Sequence, residues 1–141
     1  MILLDNRTNI DINLNLLKKI ANYLDIARDI ELIITTDSEI AKINKEYRGV
    51  DKITDVLSFP LQDLEHMPLG SIVISIDRAK EVANILEHSV DDEIALLFIH
   101  GLLHLLGYDH EVDSGEMRAK EREIVEEFNL PKSLIVRTSG D

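Results

Sequence analysis

The chain has 141 residues, 45% of them apolar and 30% charged, a balance that fits one compact globular domain and neither a disordered nor a fibrous chain. Cysteine is absent, which excludes disulfides, thiolate metal sites and a cysteine nucleophile; tryptophan is absent and aromatics total 4%, which argues against a face built from many stacked bases. Fifteen Lys and Arg stand against 27 Asp and Glu, and a net charge of −12 is that of no general nucleic-acid binder.

Met1-Ile2-Leu3-Leu4-Asp5 has no basic segment, and its apolar run breaks too soon for a secretory signal, so a cytoplasmic protein is expected. Ile2 to Leu4 suits a short first strand. Leu17, Ile20, Ala21 and Leu24 recur at helical spacing and predict an amphipathic helix after the Asn13 region. Ile30 to Thr35 is rich in β-branched residues and reads as a strand. Thr36 and Glu39 form a capping box that opens a helix with Ile40, Ile43 and Tyr47 on its apolar face. Val56 to Phe59 and Ile72 to Ile76 read as two further strands, separated by a loop holding Pro60, Pro68 and Gly70. A third helix carries Ala79, Val82, Ala83 and Leu86 on one face. Ser89 and Asp92 form a second capping box, and Ile94 to Leu106 follows as a helix apolar nearly all round, as expected of one running through the middle of the domain. That stretch is too short for the roughly 20 residues of a membrane span and is broken by two histidines. Gly107 ends it. Asp113 to Phe128 predicts a last amphipathic helix stopped near Asn129-Leu130-Pro131, with residues 131–141 a loose tail. No repeat or linker divides the chain: one α+β domain over residues 1–141 is expected.

The chemistry lies in His100-Gly-Leu-Leu-His104-Leu-Leu-Gly107-Tyr-Asp109-His110. Residues four apart share a helix face, so His100 and His104 can reach one ion at about 2.0–2.1 Å each. The next turn of the same helix offers no good third ligand; the chain must reverse, Gly107 permits that, and His110 follows three residues later. Three neutral nitrogens leave a fourth position for water, the layout of a catalytic zinc site. Imidazoles buried in an apolar helix also need polar partners, which nothing else in this helix provides. The other two histidines, His66 and His88, read as solvated or capping residues. Asp109 stands open between three roles: a hydrogen-bond partner of a ligand imidazole, a base for bound water, and a plain turn aspartate.

The spacing H-x-x-x-H-x-x-G-x-x-H is that of the metzincin zinc proteases, but Gly101 stands where those enzymes carry their glutamate base. The segment from His100 to His110 closely resembles the HGxLHLxGYDH signature of the YbeY family, bacterial zinc-dependent endoribonucleases of ribosomal RNA maturation. Asn44-Lys-Glu-Tyr47-Arg48-Gly-Val-Asp51-Lys-Ile-Thr54-Asp55-Val56-Leu57-Ser58-Phe59-Pro60 is similar to that family's NxxYRxxDxxTDVLSFP stretch, and Leu69 to Ser75 to its LGDIxIS strand, with Ser71 in place of Asp. The resemblance implies a small zinc-protease-like α+β domain in which a mixed sheet of about four strands lies beside a central metal-binding helix. It implies one Zn²⁺ per chain on His100, His104 and His110, and Arg48 as the cationic residue of the active-site cleft. The implied task is cleavage of single-stranded RNA, including the 3′ end of small-subunit ribosomal RNA, with ribosome quality control. RNA and ribosomal proteins are the expected partners; no DNA and no membrane are expected.

The charge pattern gives this partial support. Lys42, Lys45, Arg48 and Lys52 recur three and four apart, a solvated helix face on its own and, given the resemblance, a track for phosphates. Much of the opposing acidity sits in the last helix, at Glu116, Glu121, Glu123, Glu126 and Glu127. Two other functions are compatible with the motif: a metallopeptidase, against which Gly101 counts, and a non-catalytic ribosome-associated protein whose zinc holds the fold. No GxxxxGK[ST], GxSxG or GxGxxG is present.

Overall fold

A computed structural model describes residues 1–61, 67–109 and 111–131. Its elements run β1 (Ile2–Asn6), α1 (Leu14–Tyr23), β2 (Ile30–Thr35), α2 (Asp37–Arg48), β3 (Val56–Pro60), β4 (Gly70–Ser75), α3 (Ile76–Leu86), α4 (Val90–Leu105) and α5 (Glu116–Glu127). The four strands form one mixed sheet in the order β1-β2-β4-β3. β1, β2 and β4 are parallel, and β3 returns antiparallel along β4 as an edge. This is the α+β architecture with a mixed four-stranded sheet that the sequence predicts.

Side chains alternate across the sheet because the strand period is two. Ile30, Leu32, Ile34, Ile72 and Ile74 face a large core completed by α1, α3, α4 and α5. Leu57 and Val73 face the other way and close a small core with Ile40 of α2. The sheet is thus a middle layer, with α2 on one side and the other helices opposite. Within the large core α4 is buried on every side: Ile94, Leu97, Phe98, Leu102 and Leu103 are all at most 1% exposed. No helix among the described residues is long and apolar enough to cross a membrane.

Short polar side chains start the helices by accepting a backbone N–H of the first turn. Asn13 accepts from Leu16, Thr36 from Glu39, Ser75 from Arg78 and Ser89 from Asp92. The capping box at Thr36 is only half made. The Glu39 carboxylate accepts from the Thr35 hydroxyl and the Arg7 guanidinium instead of turning back, and these partners hold its pKa below the usual carboxylate value.

Several expectations need correction. Pro60 and Gly70 are not loop residues: Pro60 ends β3, Gly70 opens β4, and the two are paired. A Cβ on Gly70 would meet the Phe59 carbonyl oxygen at 2.5 Å and Leu105 Cδ2 at 2.6 Å, so this close approach requires glycine. Ile76 opens α3 and does not end β4. Tyr47 and Leu86 are exposed although helical spacing puts them with apolar neighbours; Tyr47 lies against the Phe59 ring, centroids 5.6 Å apart. α5 starts at Glu116 and not at Asp113, because Asp113 accepts from Gly115 and Met117 N–H and so caps the helix from outside it. His66 and residues 132–141 of the expected tail lie outside the described residues.

Candidate active site

α4 brings His100 and His104 to one place. Their rings stand edge to face with centroids 4.8 Å apart, and their Nε2 atoms are 3.2 Å apart. Each ring is held from behind through its other nitrogen. His100 Nδ1 donates to Oε2 of Glu121 at 2.6 Å, and Glu121, from α5, is 1% exposed. His104 Nδ1 donates to the Tyr108 carbonyl at 3.0 Å. That carbonyl returns over the histidine because the chain reverses at Gly107, where φ is 98°.

An ionised carboxylate and a carbonyl only accept, so both Nδ1 atoms carry the proton. In the neutral rings both Nε2 atoms then present lone pairs to one another. Such an arrangement calls for positive charge, a proton or a metal ion, between them. Two nitrogens at about 2.0–2.1 Å from one tetrahedral ion lie about 3.3 Å apart, so the observed 3.2 Å fits a shared ion. The carboxylate behind His100 is the usual support of a metal-ligating imidazole, fixing its tautomer and raising its basicity. His110, the third expected ligand, lies outside the described residues, and among those described no group of three His, Asp or Glu gathers around one point.

The pair opens into a cavity of about 710 Å³ between α4, β3 and the turn after α4. Arg48, at the end of α2, lines it together with Thr54, Ser58 and Asp109. Of the basic stripe, only Arg48 reaches this cavity; Lys42, Lys45 and Lys52 are exposed elsewhere, and Lys45 lies 4.0 Å from Asp51. The Asp109 carboxylate accepts from Glu111 N–H at 3.0 Å, the geometry of a turn aspartate, with no bond to His100 or His104. Gly101 backs onto the sheet. A Cβ there would stand 3.0 Å from Ile72 Cγ2, a tight contact that a side chain at the proteases' glutamate position could make only if the buried Ile72 gave way slightly.

Glu121 contradicts its expected placing, and His88 does so in part. Glu121 does not belong to the acidic surface of α5 but is buried behind His100. Its position gives the signal: it lies four residues after Met117 and three before Ile124, both fully buried, and so on the apolar stripe. His88 is not solvated: its side chain is 10% exposed and Nε2 meets Oε1 of Glu93 at 2.7 Å, while its backbone N–H caps the end of α3 by donating to the Ala83 carbonyl at 3.1 Å. Ser71, where the resemblance has Asp, donates its hydroxyl to Glu31 across the β2–β4 pair at 2.8 Å.

Comparison with known proteins agrees with this geometry. A family profile described as Endoribonuclease YbeY matches residues 4–129. The chain is 63% identical over 137 residues to the endoribonuclease YbeY of Nautilia profundicola, covering 97% of this chain and 98% of that protein. Identity to the endoribonuclease YbeY of Wolinella succinogenes is 55% over 138 residues, 98% of each. The solution structure of TM1509 from Thermotoga maritima superposes with a TM-score of 0.62 at 30% identity, over 91% of this chain and 89% of that one. The matched span runs from the first strand to the end of α5 and includes the histidine pair, Glu121 and Arg48, and the chain belongs to the endoribonuclease YbeY family.

Proposed function

We propose that the protein is a zinc-dependent endoribonuclease that hydrolyses phosphodiester bonds of single-stranded ribosomal RNA in the cytoplasm, at the 3′ end of the small-subunit RNA and in ribosome quality control. The observation that carries this reading is the pair of Nε2 atoms 3.2 Å apart, backed by Glu121 and the Tyr108 carbonyl, beside a cavity that Arg48 lines. His100, His104 and His110 would hold the ion, the third by virtue of the motif. When bound, zinc supplies a Lewis acid that lowers the pKa of water toward about 7 and polarises a phosphate oxygen.

The chain's own residues do the rest. Glu121 and the Tyr108 carbonyl keep both imidazoles in the Nδ1–H tautomer, so that neither ring must reorient to act as a ligand. Arg48 presents a planar fork to the phosphoryl group and stabilises the charge that grows there in the transition state. Gly101 offers no base; the Asp109 carboxylate, which lines the cavity and accepts Glu111 N–H through one oxygen, and the phosphate itself are the two candidate proton acceptors. A net charge of −12 opposes RNA at long range, and ribosomal proteins supply the targeting that the charge withholds.

The test is cleavage of single-stranded RNA by the zinc-loaded wild type, His104→Ala and Arg48→Ala. Cleavage by the wild type, a fall below detection for His104→Ala and a loss of about a hundredfold or more in kcat for Arg48→Ala are expected. Equal activity in all three overturns the assignment. Chelation should stop cleavage while circular dichroism shows the chain still folded; unfolding on chelation would favour a structural ion.

A further inference from the structure

The antiparallel ladder decides which backbone groups of β3 face outward. Leu61 N–H donates to Leu69 C=O at 3.1 Å and Ser75 N–H to Asp55 C=O at 3.0 Å. In the register that joins Val56 to Ile74 and Pro60 to Gly70, these are hydrogen-bonded pairs, and such pairs recur at every second residue. Leu57 and Phe59 therefore turn their backbone groups toward β4, and Val56, Ser58 and Pro60 turn theirs away. β3 is an edge, so this outward row meets no further strand among the described residues. It lies along the cavity that His100, His104 and Arg48 also line. Val56 packs in the same core as α4 while Leu57 packs toward α2, so Ser58, two residues on, presents its hydroxyl to the α4 side.

This row differs from an ordinary open edge. Val56 N–H is taken by Asp55 Oδ1 at 2.8 Å, and Pro60 has no N–H. Ser58 alone keeps an outward backbone donor, and its hydroxyl makes no bond to any described residue. An extended peptide that docks by adding a strand needs a row of donors and acceptors, and here two of three donors are removed. One N–H with a hydroxyl beside it is a point donor suited to a single oxyanion.

We infer that Ser58 is a substrate-binding residue whose N–H and Oγ–H hold a nonbridging oxygen of an RNA phosphate in the cavity that Arg48 also lines, and that the blunted edge selects against peptides. The inference rests on the nuclease reading above. Its test is steady-state cleavage of a single-stranded RNA oligonucleotide by zinc-loaded Ser58→Ala, Ser58→Pro and Ser58→Asp, with zinc content and melting temperature measured on each. Ser58→Ala removes the hydroxyl alone and should lower kcat/KM about threefold to tenfold. Ser58→Pro also removes the N–H, which no ladder bond uses, and should lower it about tenfold further with zinc content unchanged. Ser58→Asp keeps the N–H but sets a like charge at the phosphate, and should reduce kcat/KM about a hundredfold, chiefly through KM. Should Ser58→Pro misfold, Ser58→Asp decides alone. Wild-type kinetics in the folded Ser58 variants overturn this inference and leave the nuclease reading standing. A wild type that does not cut RNA overturns that reading, and a wild type that cuts peptides at this site overturns the selection against them.

Discussion

Helix α4 supplies one member to each of two buried His–Glu pairs, and the two are nearly matched in chemistry. At its start His88 meets Glu93 at 2.7 Å, with side chains 10% and 1% exposed. Farther along His100 meets Glu121 at 2.6 Å, with side chains 14% and 1% exposed. The difference lies in the nitrogen each ring uses. His88 gives Nε2, the tip of the ring, to its carboxylate, so the bond ties the turn after α3 to α4 and leaves no tip for a ligand. His100 gives Nδ1, the nitrogen nearer the backbone, so its tip is directed at His104 and the cavity. A buried histidine–carboxylate pair is thus no sign of a metal site by itself; the orientation of the ring decides.

The largest expected contrast follows from deleting each carboxylate. Glu121→Ala should weaken zinc binding about 10- to 100-fold, read by chelator competition, because His100 loses the group that fixes its tautomer. Glu121→Gln keeps an acceptor and should recover part of that loss. Glu93→Ala should leave zinc affinity unchanged and lower stability by about 1–3 kcal/mol, read by urea denaturation, since a buried imidazole N–H loses its partner. Equal zinc affinity in Glu121→Ala and Glu93→Ala would erase the distinction between the two pairs.

Much of this fold is legible in the sequence where one physical rule acts alone. β2 occupies Ile30–Thr35 as its β-branched run predicts, and α4 lies between Ser89 and Gly107 because a side-chain cap and a left-handed glycine mark its two ends. Legibility fails where tertiary contacts overrule a local rule. Pro60 and Gly70 look like loop residues, yet Pro60 has its missing N–H on the free edge of β3 and Gly70 admits the Phe59 carbonyl. Glu121 looks like one more solvated acid of α5, because charge type conceals what its helical position declares. The histidine spacing forecasts that His100 and His104 converge, whereas the carboxylate behind His100, the exclusion of the lysines from the cavity and the single open donor of β3 depend on packing between distant elements.

A smaller effect sharpens the structural half of the comparison. If the bond between His88 and Glu93 serves only to join a turn to α4, a double-mutant cycle through His88→Ala and Glu93→Ala should give a coupling of about 0.5–3 kcal/mol in stability and none in zinc affinity or RNA cleavage. A coupling that appeared in cleavage would mean that strain at the start of α4 reaches His100, some two helical turns away, and that the pair is not merely structural.

The smallest effect comes from a carboxylate on the opposite face of α5 from Glu121. Glu123 accepts from the Tyr23 hydroxyl at 2.7 Å and from Lys120 Nζ at 3.1 Å, all at the surface. The bond to Tyr23 holds the Glu123 carboxyl below its ordinary value and pushes the Tyr23 phenol up to about 12 from 10.0. A phenol whose pKa is raised by folding adds stability that is complete below the unfolded pKa near 10 and is lost as pH rises toward 12. A carboxyl whose pKa is lowered adds stability present above its unfolded value of 4.5 and lost as pH falls through the folded one. Solvent screens so exposed a pair, and Tyr23→Phe should shift the melting temperature at neutral pH little. Its signature is in the slope: between pH 10 and 12 the wild type should lose stability faster than Tyr23→Phe, and below pH 4.5 the two curves should converge. Two parallel melting curves across both windows would show that the hydroxyl does not bridge α1 to α5, and would leave Glu123 held by Lys120 of its own helix.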